Sequence, residues 1–258
     1  VTSYVIIEND LGKFKLPKDY LPTYLGGKMD GVHGDVGYLS EGRVLSRYVI
    51  DAASAFITPD SIVVDVGAHM GTMSMAFSEI LKLKGSKTGQ VISIEAALEN
   101  FPCVEYNVRN NGQKGVKNYV YNLVCTSSPI GTVNFPKHDI STGLLTGQYS
   151  LDNHANQSRE YNQVKSTSLD SLLARKRKKI SLIKVDCEGH DPDVLLGSIE
   201  TIKKHKPAII FEWNRQYDNF EKHVEQANKG KHFLAQIPKG YKFVDIHRGN
   251  DWLLFWDK

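Results

Sequence analysis

Four segments of this sequence carry residue types that could do chemistry: Asp65-Val66-Gly67-Ala68-His69-Met70-Gly71, Glu95, Asp186-Cys187-Glu188-Gly189-His190 and Glu212. Each stands at the end of a short apolar run, where a carboxylate needs a partner or a ligand to justify its place. Asp186, Glu188, His190, Glu212 and His69 can all take up and return a proton. A general base that deprotonates a weak nucleophile is therefore the chemistry they imply, with His190 or Glu212 in that role beside Asp186 and Glu188. Asp186 and Glu212 could also hold a magnesium ion, which prefers oxygen ligands. Tyr149, Tyr161, Trp213 and Tyr217 could stack on a sugar ring or belong to the core.

The glycine turn narrows the ligand. Gly67 suits a tight turn after a strand, and Gly71 suits close packing of the helix that follows. Glu95, 28 residues beyond Gly67, is placed to accept hydrogen bonds from both hydroxyls of a ribose. Dinucleotide sites use the same layout but require G-x-G-x-x-G, so that bare backbone meets the diphosphate. Here His69 fills the middle position, which disfavours a nicotinamide cofactor. Asp65 beside the turn suits a cationic amino-acid ligand, and the sulfonium of S-adenosylmethionine is one.

The elements that must position these residues read as alternating strands and helices. Ile62–Val66, Val91–Glu95, Asn118–Val124, Ile180–Val185 and Ala208–Glu212 are short, largely apolar runs without polar alternation, the pattern of strands buried on both faces of a parallel sheet. Helical spacing follows over Gly71–Lys84, Glu99–Asn110 and Asp191–Lys204. Tyr241–Ile246 and Trp252–Trp256 flank Arg248-Gly249-Asn250-Asp251 as a terminal hairpin. The expected fold is α/β: a Rossmann-like, doubly wound, mainly parallel sheet with an antiparallel C-terminal edge hairpin. In such sheets ligands bind at the carboxyl ends of the strands, which puts Asp65–Gly71, Glu95, Asp186–His190 and Glu212–Asn214 on one rim. Residues 1–60 read as an N-terminal extension before a domain of residues 61–258. It holds a hairpin about Asn9-Asp10-Leu11-Gly12, a glycine-rich loop from Gly26 to Gly37 and an amphipathic helix over Glu41–Phe56. The polar insert from Lys137 through Ser150–Gln163 is expected to be a lid or a disordered loop.

Taken in order, Val64-Asp65-Val66-Gly67-Ala68 with Gly71, Ile94-Glu95-Ala96, a helix bearing Asn107 and Asn111, Ser168-Leu169-Asp170, Ile183 to His190, Val194 to Gly197 and Pro207 to Glu212 form a set. Over residues 61–214 that set resembles the FkbM-type methyltransferases, within the class I S-adenosylmethionine enzymes. The resemblance implies methyl transfer from S-adenosylmethionine, commonly giving an O-methyl product on a sugar or natural-product hydroxyl. It assigns Asp65, Gly67 and Gly71, with Ala68 and His69 between them, to the cofactor loop and Glu95 to the ribose. Two positions depart from the pattern: His69 stands where Asn is usual, and Ala97 stands where Pro often follows.

Bulk properties leave this reading room. The chain has 258 residues, a formal net charge of +3, and 41% hydrophobic and 24% charged residues, ordinary globular values. Cys103, Cys125 and Cys187 cannot all pair and form no C-x-x-C, which points to a reducing, cytoplasmic setting and away from a zinc site. No apolar run is long enough to span a membrane. The run Arg175-Lys176-Arg177-Lys178-Lys179 could touch nucleic acid or an anionic surface but reads first as a solvated loop or helix end, and without it the chain would be slightly acidic. No wider basic face is evident, so nucleic acid is not expected as a partner. The lead expectation is an O-methyltransferase acting on a small-molecule or glycan acceptor. The alternatives are a catalytically silent cofactor-binding module of a larger polypeptide, or a methyltransferase acting on protein or nucleic acid. The N-terminal valine fits a processed chain or an excised domain.

Overall fold

A computed structural model describes residues 3–18, 23–25, 28–30, 35–44, 46–129, 131–138, 151, 160–213 and 220–257. The expected hairpin forms from β1 (Tyr4–Asn9) and β2 (Gly12–Pro17), in register from Tyr4↔Pro17 to Asn9↔Gly12. At its turn the Asn9 side chain accepts the Leu11 N–H at 3.0 Å, a local bond that favours turns. The stretch expected as a loop from Gly26 to Gly37 instead contains β4 (Lys28–Asp30), paired with β3 (Thr23–Leu25), and the start of α1 (Asp35–Ser40). The helix expected over Glu41–Phe56 is shorter, α2 (Arg47–Ser54), because Ser46 has a φ of 55° and a left-handed residue cannot continue a helix backward.

From there the sheet is built as the apolar runs dictate. β5 (Ile62–Val66) is buried at all five positions and leads into α3 (Thr72–Leu83). β6 (Gln90–Glu95), α4 (Phe101–Asn111) and β7 (Lys117–Asn122) follow. A small second sheet then interrupts the rhythm. β8 (Val124–Cys125) pairs with β10 (Tyr161–Thr167), which pairs antiparallel with β9 (Thr132–Pro136). Part of the expected polar insert is thus strand; Asp139–Ser150 and residues 152–159, where the lid was expected, lie outside the described residues, as do Tyr149, Asn214 and Tyr217. After α5 (Leu169–Leu173) come β11 (Ile180–Val185), α6 (Asp191–Leu196), α7 (Ile199–His205) and β12 (Ala208–Glu212). The long helix α8 (Phe220–Gln236) leads to β13 (Tyr241–His247) and β14 (Asp251–Trp256).

The helix expected over Asp191–Lys204 is two helices. A side chain at Gly197 would lie 2.5 Å from the Thr126 carbonyl oxygen, and the Gly197 carbonyl is taken by the Asp170 N–H at 2.9 Å. Its carbonyl thus serves another segment instead of the helix ladder, and the chain restarts at Ser198.

The main sheet has seven strands in the order β13-β14-β12-β11-β5-β6-β7. β11 is parallel to β12 and β5, and β5 to β6 to β7; only β14 runs against its neighbours. The terminal hairpin is at the edge, as expected, but its antiparallel strand is inserted between β12 and β13. That insertion separates this sheet from the all-parallel dinucleotide order. One cluster under the sheet joins Ile62, Val64, Ile92, Ile183, Ile209 and Phe233; the other joins Val63, Phe77, Leu81, Val91 and Ile210 to Val49, Ala53 and Ile57 around α2.

The N-terminal hairpin is held by two asparagines of α4. Asn107 Oδ1 accepts the Lys15 N–H at 2.6 Å, and its Nδ2 donates to the Lys15 carbonyl at 3.2 Å and the Met70 carbonyl at 2.9 Å. Asn111 repeats the pairing with Lys13, accepting at 3.1 Å and donating at 2.8 Å. These amides do for the β2 backbone what a neighbouring strand would do. Asn107 is fully buried, so Asn107→Ala strands several buried polar groups and is expected to cost about 2–3 kcal/mol in chemical denaturation.

Candidate active site

The turn after β5 is forced by contacts on both sides. Gly67 has a φ of 75°, and a Cβ there would meet the Asp186 carbonyl oxygen at 1.8 Å. Its N–H, like that of Ala68, donates to the Ile94 carbonyl at 3.0 Å. Gly71 has a φ of 84°, and its missing side chain leaves room for Val108 and Val104 of α4. The close approach at Gly71 is thus to α4 rather than to the strand. His69, with a φ of 51°, points its N–H at Glu95 Oε2 at 2.8 Å.

Glu95 closes β6 and is almost wholly buried. Its Oε1 accepts the Ala97 N–H at 2.8 Å. Burial raises its pKa, and His69 together with the Ala97 N–H and Asn100 pull it back. Oε1 also accepts a long bond from Asn100 Nδ2 at 3.5 Å, so of the two lone pairs on each oxygen the one open to a ribose hydroxyl is on Oε2.

Asp65 lies deeper than expected for a ligand-contacting residue. It is fully buried, accepts from Ser74 Oγ at 2.5 Å and lies 3.3 Å from Lys184 Nζ. Ser93 donates to Ser74 at 2.7 Å, completing a chain behind the turn. Lys184 also lies 3.3 Å from Asp186 and donates to the Gly67 carbonyl at 3.1 Å. Burial works against the Lys184 charge, but Asp186 and Asp65 outweigh it and hold the ammonium above its ordinary range. Lys184 thus ties β5, the glycine turn and the end of β11 together.

Around it stand more carboxylates than it can balance. Glu188, with a φ of 51°, is pushed up to about 8 by burial and then by Asp186 and Asp191. Asp191, which the sequence reading took only as a helix start, is fully buried. It accepts the Cys187 N–H at 3.1 Å and the Glu212 N–H at 3.2 Å, which pins the ends of β11 and β12 to each other. Its pKa rises to about 7, chiefly through burial and Asp186. Glu212 rises to about 9 through burial and the charges of Asp186, Glu188, Asp191 and Asp251. Glu212 Oε2 is buried with no hydrogen-bond partner among the described residues.

His190 falls behind this group. It is 8% exposed, stands at the N-cap position of α6 without a side-chain capping bond, and lies near Asp193, which is bound by Ser127 and Lys229. Trp213 is likewise committed: its ring edge meets Phe211 at 6.0 Å between centroids, and it lies where a side chain at Gly230 of α8 would be. Among the described residues, no group of three or more His, Cys, Asp or Glu is placed to hold a metal ion. The magnesium expected at Asp186 and Glu212 therefore has no support, and Lys184 already supplies a cation beside Asp186.

Two groups join the rim from distant parts of the chain. Asp251 is the register partner of Glu212 across β12 and β14, so their side chains share a face. It accepts from the Tyr48 hydroxyl at 2.7 Å, lies 3.5 Å from His247 Nδ1, and the Tyr48 and His247 rings stack at 4.4 Å. At the other side His138 follows β9 and reaches His69; burial and that neighbour drive its pKa down to about 3, so it is neutral. Neither was legible in the sequence, where only a backbone register or a chain reversal brings these positions close.

The model of the methyltransferase FkbM domain matches residues 65–245. No curated protein matches the chain. Among solved structures, the methyltransferase FkbM from Methylobacillus flagellatus is 14% identical with a TM-score of 0.47, covering 80% of this chain; the present chain spans 50% of it. A ribosomal protein L11 methylase from Lactobacillus delbrueckii subsp. bulgaricus is 17% identical with a TM-score of 0.40, covering 81% of this chain and 78% of its own. The Streptococcus mutans protein SMU.1697c, solved with SAH, is 9% identical with a TM-score of 0.45, covering 81% of this chain and 96% of its own. The family model spans the glycine turn, Glu95, the Asp186–Asp191 segment and most of β13, and on that match the chain belongs to the FkbM methyltransferase family.

Proposed function

We propose that the chain transfers a methyl group from S-adenosylmethionine to a hydroxyl of a sugar, a glycan or a glycosylated small molecule. The charge of the rim carries the reading. Asp65, Asp186, Glu188, Asp191 and Glu212 gather about Lys184, and burial holds Asp65, Glu188, Asp191 and Glu212 above their ordinary pKa. A cationic ligand relieves that excess, whereas a diphosphate would aggravate it.

S-adenosylmethionine, when bound, supplies an electrophilic methyl on a cationic sulfur. Glu95 accepts a ribose hydroxyl through Oε2, and the backbone of Gly67–Gly71 shapes the turn against which the ligand lies. Thr72 Oγ1, at the start of α3, is buried without a hydrogen-bond partner among the described residues, a donor left over for the same ligand. Asp65 acts from behind, holding Lys184 and Ser74 in place instead of touching the ligand. Asp186, with 47% of its side chain exposed, faces the cleft.

Glu212 is the general base for the acceptor hydroxyl, with Glu188 the other carboxylate in reach of the cleft. Its pKa of about 9 keeps it protonated near neutral pH in the free protein; once a bound cation has displaced that proton, the unpartnered Oε2 can accept the acceptor's, and Asp251, fixed by Tyr48, sits beside it. His190, buried behind the rim, is better read as a brace for α6.

The test is transfer of tritiated methyl to panels of sugars, glycosides, protein and RNA. A labelled sugar whose methyl ether survives mild alkali supports the reading. Label lost in mild alkali marks a carboxyl ester, and transfer to protein or RNA alone would replace the proposed acceptor. Cofactor binding without transfer to any acceptor would favour a silent module.

The same rim has a stability consequence. Glu188 and Glu212 bind protons more tightly folded than unfolded, so raising the pH from about 5 to about 9 should lower the melting temperature. Glu188→Gln with Glu212→Gln should flatten that slope, as scanning calorimetry across the pH range would show.

A further inference from the structure

We propose that the end of the molecule opposite the acidic rim docks on an anionic lipid surface, through the run Arg175–Lys179 and the exposed Leu83 beside it. Every strand of the parallel set starts at this end and every crossover helix finishes there. The Ile62 N–H, at the start of β5, donates to the Lys179 carbonyl at 2.8 Å. Lys178 donates to the Thr88 carbonyl, which brings the run against the turn that follows α3. Lys204, at the end of α7, donates to the Lys176 carbonyl at 3.2 Å. Three separate stretches of lysine thus meet on one face.

Two acids near this end are already engaged. Asp60 accepts the N–H groups of Lys87 and Thr88 at 2.8 and 2.6 Å, and Glu200 pairs with Lys203 at 2.9 Å. The whole chain carries a formal net charge of only +3, yet this run alone carries five positive side chains. The molecule is therefore polarised, basic at the strand starts and acidic at the strand ends.

Charge alone would fit any polyanion; the apolar features favour lipid. Leu83, in the last turn of α3 between exposed Lys82 and Lys84, is 78% exposed, more than any other large apolar side chain among the described residues. A protruding leucine flanked by lysines is suited to the headgroup boundary, where apolar contact and attraction to anionic lipid act together. Two rings at this end that could stack on bases already lie under cations: Trp256 under Lys206 at 4.0 Å, and Tyr119 under Lys176 at 4.9 Å. Single-stranded nucleic acid binders rely on bare rings. Beside the run a cavity of about 390 Å³ is lined by Lys179, Lys206, Thr58, Ser181, Phe56 and Trp256, which gives a lipid phosphate two ammonium groups and two hydroxyls. Docked in this way, the chain holds its acidic rim away from the negatively charged bilayer.

The experiment is co-sedimentation of the full chain with phosphatidylcholine vesicles, with and without phosphatidylserine. Binding is expected only with phosphatidylserine, and it should fall as salt is raised. Each basic residue near such a surface is worth about fivefold in partition, so Arg175→Glu/Arg177→Glu/Lys179→Glu should weaken it by at least about 100-fold with the melting temperature kept. Leu83→Ser, which keeps every charge, should weaken it several-fold. Failure to bind the anionic vesicles, equal binding to neutral ones or undiminished binding by both variants would overturn the proposal. So would displacement from the vesicles by single-stranded RNA, which would mark the face as a nucleic-acid surface.

Discussion

Gly67→Ala is expected to destabilise the protein by about 3–5 kcal/mol, the sum of a left-handed backbone penalty and overlap with main chain that cannot rotate aside. The clash is with the Asp186 carbonyl at 1.8 Å, an atom fixed in turn because the Asp186 N–H donates to the Val66 carbonyl at 3.1 Å. A β11 end that moves to make room carries Asp186 with it and loosens its 3.3 Å contact with Lys184. Folding and ligand binding should therefore fail together. Urea denaturation of the variant measures the first, and a loss below about 1 kcal/mol would mean that the turn is less tightly held than these contacts require.

Glu95→Ala should weaken binding of S-adenosylmethionine and of S-adenosylhomocysteine alike, by about 100-fold or more, because charge-assisted hydrogen bonds contribute about 1.5–3 kcal/mol each. The ribose is common to both ligands, so the loss should not depend on the sulfonium. The His69 and Ala97 N–H groups, at 2.8 Å from the two carboxylate oxygens, would also lose their acceptors and let the glycine turn relax. Glu95→Gln keeps one acceptor oxygen and should fall between. Calorimetric titration separates the three proteins, and unchanged affinity in Glu95→Ala would remove the residue from the ribose site.

The glycine turn, Glu95 and the ends of β11 and β12 were legible because largely apolar strands without polar alternation announce a parallel sheet, whose geometry then puts its strand ends on one rim. What was not legible depends on contacts between distant segments. The helix break at Gly197 goes with its carbonyl being taken by the Asp170 N–H, and the close approach of Thr126 leaves no room there for a side chain. The helix α8 has few apolar residues and a glycine at its middle, and its reason for that glycine is the ring of Trp213. Asp191 reads as an ordinary first-turn acid until its carboxylate is seen accepting from both Cys187 and Glu212. Asp65, an acid that needs a partner where an apolar strand ends, has one within the fold in the buried Lys184. Tyr48 and His247 meet only because α2 packs beside the terminal hairpin.

A cationic methyl donor on the acidic rim is the central claim, and the ratio of affinities for S-adenosylmethionine and S-adenosylhomocysteine, measured by calorimetry from pH 6 to pH 9, tests it most directly. The two ligands share every group except the charged sulfur and its methyl. Below their raised pKa values, about 8 for Glu188 and about 9 for Glu212, these carboxyls are protonated in the free protein, and a cation must displace those protons to bind. The ratio should therefore shift toward S-adenosylmethionine as pH rises, and Glu188→Gln/Glu212→Gln should remove the trend. A ratio that stays flat or falls with pH in the unaltered protein would contradict the claim.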